Sequence, residues 1–252
     1  MDPSDLGSGV VVGDDGIARC WWCVEDELYR RYHDVEWGRP VADDRQIFEK
    51  LSLEGFQSGL SWLTILRKRD NFRKAFRSFD MRAVAKFDLK TRNRLLLDAG
   101  IVRNRAKIDA TINNARRCLE LIEEFGSLAA YVWSFEPKGR SRSGSLDWKT
   151  LVQMGPSEEA RAMSRDLKRR GWAFVGPTTV YSAMESIGMV NDHLTGCEVR
   201  NDVERERSAF RRPVPRGPLS VTGPRRSTRG ASAGAASSAR RRPSESRRPR
   251  RA

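Results

Sequence analysis

Leu97-Asp98-Ala99-Gly100-Ile101-Val102-Arg103-Asn104-Arg105-Ala106-Lys107 joins two helical stretches across one tight turn. Leu95, Leu96 and Leu97 close a short helix that the glycine at 100 is expected to end. Beyond the turn, Ile108, Ile112, Leu119 and Ile122 recur at helical spacing and line a long one. The same period extends outward in both directions. Ile47, Leu51, Phe56 and Leu60 mark one amphipathic segment, and Leu63, Leu66, Phe72 and Phe76 mark the next. Ala162 and Leu167 mark a later segment. A last helix spans Pro177–Ile187, started by Pro177 and stopped by Gly188. No run alternates with strand period and no repeat is visible, so the sequence predicts an all-α domain over residues 19–200, with Glu136–Ser145 as a surface loop.

The turn also carries chemistry. Backbone N–H groups at a tight turn and at the N-terminus of the following helix suit a phosphate, and Arg103, Arg105 and Lys107 add positive charge. The stretch resembles a helix-hairpin-helix, with Val102 where the motif's second glycine usually stands. Taken alone, these residues read first as a plain αα-hairpin.

Charge is unevenly distributed. The chain has a formal net charge of +14, but residues 201–252 hold fifteen Arg, no Lys and four acids, leaving the rest at only +3. With Pro, Ser, Gly and Ala filling that segment, it is expected to be a disordered tail, either a phosphate-binding arm or a neutral extension. Residues 1–18, rich in Gly and Asp, are expected to be a disordered extension too. Their short apolar run is neither a membrane span nor a signal peptide. Four cysteines without a secretory signal point to a reducing cytoplasm without disulfides.

The chain has two histidines, and each travels with a cysteine: Cys20 with His33, and His193 with Cys197. Two His and two Cys can close a tetrahedral zinc site; buried core residues are the competing reading, and spacing alone leaves them level. Cys20-x-x-Cys23 offers a redox dithiol as a further alternative, without the βαβ pattern that a thioredoxin-like dithiol follows. Cys118 reads as packed core.

An aromatic cluster of Trp21, Trp22, Tyr29, Tyr32, Trp37 and Trp62 falls within 42 residues, beginning beside Cys20. Tyr29 and Tyr32, three apart on a helix, share a face. Such a cluster is ordinarily core, but this one suits a planar π-rich ligand; stacking on aromatic rings is worth about 1–3 kcal/mol per base. Leu53-Glu54-Gly55-Phe56-Gln57-Ser58-Gly59-Leu60-Ser61-Trp62 places a carboxylate and an amide on an otherwise apolar helix that breaks at Gly59. A buried Glu is costly unless paired, so Glu54 is a structural ion-pair partner or a ligand-reading group.

Together Tyr32-His33-Asp34-x-Glu36-Trp37-Gly38, Leu53–Trp62, Asp98–Ile101 and Val190-Asn191-Asp192-His193-x-x-Gly196-Cys197 resemble the 3-methyladenine DNA glycosylase I family, over about residues 19–197. The resemblance implies a helix-hairpin-helix glycosylase bundle in which a structural zinc, held by Cys20, His33, His193 and Cys197, joins N- and C-terminal segments. It implies that Glu54 hydrogen-bonds the alkylated base, that Tyr32 and Trp62 stack on it, and that Tyr29, Trp22 and Trp37 enclose it. Gln57, Gly59 and Leu60 would approach the gap left in the duplex, with Gly100, Ile101, Arg103, Arg105 and Lys107 on the backbone. Phe56 stands where relatives often carry a polar residue. A monofunctional hydrolase acting as a monomer on double-stranded alkylated DNA, releasing 3-methyladenine without a membrane or a Lys nucleophile, is the expectation. A non-catalytic DNA-binding protein and a zinc hydrolase are the alternatives, the latter needing an open metal position.

Overall fold

Helix starts are written locally. The computed structural model describes residues 7–138 and 145–216. In it, helices α1 (Glu27–Val35), α2 (Asp44–Gln57), α3 (Trp62–Ala75), α4 (Met81–Val84) and α5 (Leu89–Leu97) begin after an Asp or Ser side chain. The same holds, with Asn in one case, for α6 (Arg105–Phe125), α7 (Leu128–Trp133), α8 (Trp148–Gln153) and α9 (Glu158–Arg169). Each capping oxygen accepts the N–H of the third helical residue, worth about 0.5–2 kcal/mol. α10 (Pro177–Ile187) starts on Pro177 and stops on Gly188 at φ 82°, as its sequence predicts, and α11 (Val199–Ala209) follows.

α2 is the central element, packed by α3, α6, α7 and α10. Its buried apolar residues Ile47, Phe48, Leu51, Leu53 and Phe56 join the main core. Phe56 meets Phe72 of α3 and Phe76 just beyond its end at ring centroid distances of 4.6 and 5.8 Å. Phe56 therefore faces the core. Leu60 falls outside α2 and is 42% exposed.

Helix α5 stops at Leu97, three residues before the glycine expected to end it. The Asp98 carboxylate accepts the Gly100 N–H at 2.8 Å, a local bond that competes with helix continuation. Glycine is needed at 100 for a different reason: a Cβ there would lie 3.1 Å from the Asn71 side chain of α3.

Two boundary expectations are overturned. Residues 1–6 lie outside the described residues, but Val10–Val12 (β1) and Ala18–Cys20 (β2) form an antiparallel hairpin, with Val10 opposite Cys20. Three-residue strands are too short for alternation to show, and tertiary contacts hold them. Arg19 binds the Asp34 carboxylate through Nε at 2.9 Å, and the Trp148 N–H donates to the Ser8 carbonyl at 3.1 Å. At the other end, the expected disordered tail begins instead as α11. Val199, Val203 and Arg207 recur every four residues and are buried. Phe210 packs on Trp133 at 4.6 Å, and Arg212 pairs with Glu136 at 2.9 Å. An Arg-rich average concealed a stripe of two valines and a phenylalanine. Residues 217–252 of the expected tail, and 139–144 of the expected loop, lie outside the described residues.

Val203→Ala is expected to lower unfolding free energy by about 1–3 kcal/mol through the cavity it leaves. Arg205→Ala on the exposed face should stay within about 0.5 kcal/mol. Equal, negligible effects in urea denaturation would contradict the docking of α11.

Candidate functional site

Four buried ligand atoms converge where the segment 20–33 meets the segment 193–197. Cys20 closes β2, His33 lies in the last turn of α1, and His193 and Cys197 lie in the turn between α10 and α11. Their ligand atoms all lie within 4.8 Å of one another. His33 Nε2 is 3.1 Å from His193 Nδ1, and Cys197 Sγ is 3.6 Å from each. A tetrahedron with sulfur at ~2.3 Å and nitrogen at ~2.0 Å has edges of about 3.3–3.8 Å. The second nitrogens are engaged as well. His33 Nδ1 bonds Asp34 Oδ1 at 2.8 Å, Arg19 holds Asp34, and His193 Nε2 lies 3.2 Å from the Trp37 carbonyl. Such partners fix ring orientation in metal sites. The Cys20 thiol and the two imidazoles hold the Cys197 thiol well below its ordinary range, so a thiolate is favoured in the cluster. The chemistry and geometry of this donor set fit a metal ion. Cys23 stands apart: its thiol donates to the Cys20 carbonyl at 3.2 Å, and burial pushes it up to about 12.

The aromatic cluster is built directly on these imidazoles. Trp22 meets His33 edge-on at 5.1 Å, and Trp37 meets His193 at 4.6 Å. The far sides of both rings wall a cavity of about 250 Å³, lined also by Tyr29, Tyr32, Glu54, Gln57 and Trp62. The structure thus brings together every residue expected to read the base. Trp21 is excluded and packs on Trp148 at 5.0 Å. Tyr32 is buried, 5.4 Å from the Trp62 ring, with Lys50 and Arg69 about 6 Å from its own. Both cations are anchored on Glu36, at 3.0 and 2.6 Å.

Glu54 is the chemically conspicuous member. It is 5% exposed, no hydrogen-bond partner for its carboxyl is found among the described residues, and burial pushes it up to about 8, Lys50 opposing only in part. A carboxyl left in that state on a central helix is unlike the structural ion pair that the sequence also allowed. Three lining residues escaped sequence reasoning: Leu151 of α8, and Ser182 and Glu185 of α10. Ser182 and Glu185 are three apart on one face of a helix otherwise buried in the core, which was the available signal.

Residues expected at the nucleic acid divide into two groups. In the turn between α2 and α3, Gly59 adopts φ 79° and Leu60 projects to solvent. In the hairpin, Arg103 and Arg105 are exposed. Ile101 is 2% exposed and joins the core, so only its backbone borders the turn. Lys107 does not reach outward to a phosphate as expected. Its ammonium donates to the carbonyls of Phe56 at 2.8 Å and Ser58 at 2.6 Å, the unpaired C-terminal groups of α2. Lys68 likewise donates to the Ala99 carbonyl at 2.9 Å. These two lysines tie the hairpin to the elements that carry the pocket.

Residues 22–201 match the model of the methyladenine glycosylase family. The chain is 44% identical over 185 residues to DNA-3-methyladenine glycosylase 1 of Escherichia coli (strain K12), covering 72% of this chain and 96% of that protein. It is 38% identical over 179 residues to DNA-3-methyladenine glycosylase of Haemophilus influenzae, covering 71% and 96%. A structure on 3-methyladenine recognition by 3-methyladenine DNA glycosylase I from Staphylococcus aureus matches at 32% identity and TM-score 0.67, over 72% of this chain and 96% of that one.

Two outcomes test the site's physics. A carboxyl whose folded pKa is raised binds a proton that the unfolded chain has lost, so Glu54 makes stability fall as pH rises from about 4.5 to about 8. Glu54→Gln is therefore expected to raise the thermal midpoint, more at pH 8 than at pH 5; a uniform or negative shift would show the carboxyl is paired. Lys107→Met should cost about 1.5–3 kcal/mol by urea titration, from charged hydrogen bonds lost to the last turn of α2.

Proposed function

The chain belongs to the methyladenine glycosylase family, and from that premise we infer its activity: it is a 3-methyladenine DNA glycosylase, a hydrolase that removes the alkylated base from DNA. Support comes first from Glu54, a buried carboxyl inside an aromatic cage, with no hydrogen-bond partner among the described residues. An isolated carboxyl in such a place is stabilised only by a ligand that brings donors or positive charge.

A 3-methylated adenine in DNA carries a positive charge, so its N-glycosidic bond is weak and the base leaves readily. The enzyme's task is to take the nucleotide out of the stack and hold it. Tyr32 and Trp62 stack on the base, and Tyr29, Trp22 and Trp37 enclose it, favouring a cationic ring. Glu54, as carboxylate, accepts from the exocyclic amine. Water then attacks the sugar's anomeric carbon; the C–N electron pair leaves with the base, cancelling its charge, and the water's proton passes to solvent. Gln57, Gly59 and Leu60 fill the gap in the duplex, while the hairpin backbone at Gly100 and Ile101, with Arg103 and Arg105, holds the phosphates as a helix-hairpin-helix.

Cys20, His33, His193 and Cys197 hold a structural zinc in this reading. Four protein ligands leave no open position, so the ion supplies cross-linking rather than a reacting site. It clamps the segment carrying Trp22, Tyr29, Tyr32 and Trp37 against the end of the domain.

Release of free 3-methyladenine from alkylated duplex DNA by the full chain tests the activity; none from a folded, zinc-loaded sample would refute it. Glu54→Ala should remain folded and lose base release. Because kcat/KM reports the free enzyme's ionisations, it should climb with pH up to about 8 as Glu54 deprotonates, and lose that rise in Glu54→Gln. Prolonged chelation should release one zinc per chain and lower the thermal midpoint; an unchanged midpoint would remove the metal from the structural account.

A further inference from the structure

A second concave site lies beside the hairpin. The C-terminal ends of α3 and α5 border an open surface cavity of about 470 Å³, and three cations from different segments, Lys74, Arg77 and Arg94, line it with Leu97 and Asp98. No carboxylate among the described residues pairs with any of the three, although neighbouring cations are committed. Arg73 is held by Glu49 at 2.7 Å, Arg92 faces Asp109 at 3.6 Å, and Lys68 caps the hairpin carbonyls. Asp98, the one acid in the lining, has an oxygen on the Gly100 N–H.

The backbone at this place is unusual. Arg77, Ser78 and Phe79 have φ of 55°, 51° and 56°, a left-handed run without glycine. Residues held there cost of order 1–3 kcal/mol each and persist where the surroundings over-determine them. Phe79 is fully buried and stacks on Phe76 at 5.7 Å, which anchors the turn and leaves Arg77 exposed at the cavity rim. Leu97, 81% exposed, belongs to the same rim.

Position along α3 relates this cavity to the base pocket. Trp62 at the helix start lines the pocket, Asn71 abuts Gly100, and Lys74 lines the cavity. Twelve residues of helix separate Trp62 from Lys74, about 18 Å. That length equals the rise of about five base pairs of duplex.

We propose that the Lys74–Arg77–Arg94 cavity is a phosphate-binding subsite for the backbone of the DNA duplex whose base enters the pocket, extending the contact beyond the hairpin. The proposal rests on the glycosylase reading. Its test is the triple variant Lys74→Gln/Arg77→Asn/Arg94→Gln in the full, zinc-loaded chain, beside an equal charge change at exposed Lys149, Arg165 and Lys168 of α8 and α9. Affinity for undamaged duplex DNA is measured across salt concentrations. The cavity variant should bind at least tenfold more weakly, with the slope of log affinity against log salt reduced by about 1–2, while the control changes little. Affinity for free 3-methyladenine should stay at the wild-type value, as should single-turnover base release at saturating DNA. An unchanged slope, or an equal loss in the control, overturns the subsite. If the wild-type chain releases no base yet the slope still falls only in the cavity variant, the glycosylase reading fails and the phosphate site stands.

Discussion

The buried carboxyl of Glu54 is the constraint to which the rest of this molecule is adjusted. A helix at the centre of an all-α core can be apolar all round at no cost, and α2 nearly is, with Ile47, Phe48, Leu51, Leu53 and Phe56 all buried. Placing Glu54 on that helix exposes it to desolvation that the charge of Lys50 relieves only in part. The surrounding structure holds the strain rather than removing it. Lys50, the nearest cation, is directed to Glu36, and Arg69 is directed there too. The pocket therefore keeps a carboxyl poised near neutral pH and walled by rings.

That wall is held from behind. Trp22 and Trp37 touch the imidazoles of His33 and His193, so the orientation of two pocket rings is coupled to the cluster that joins the ends of the domain. The hairpin is coupled to the pocket by lysines used internally. Lys107 caps the last turn of α2 and Lys68 caps the hairpin turn, so the helix that carries Glu54 and the hairpin loop are tied together by hydrogen bonds. Positive charge left free at the surface is then a matter of which cations lack internal partners, and a simple count of basic residues is a poor guide to it.

The Pro177 start and the Gly188 stop are local effects, legible in the chain because their cause lies within a few residues, whereas α2 ends at Gln57, two residues before the glycine expected to break it. The family motifs located Glu54 and its aromatic companions together with the four metal-ligand candidates. Legibility failed where distant contacts decide. The β1–β2 hairpin exists through Arg19–Asp34 and Trp148, and α11 through burial of Val203 against the domain. Lys107 looked like a phosphate contact because charge on a helix start points that way; the orphan carbonyls it serves come from residues about fifty positions earlier.

The sequence alone determined a mostly helical domain with a hairpin at residues 97–107, a carboxylate on an apolar helix, and two His–Cys pairs at its ends. Periodicity, capping and residue chemistry suffice for those. Tertiary structure decided that the pairs converge, that Ser182 and Glu185 complete the pocket, that Lys107 turns inward, and that Lys74, Arg77 and Arg94 share one cavity. Each of these depends on which partner occupies the space opposite a side chain. That is fixed by the packing of helices far apart in the chain, which no local pattern encodes.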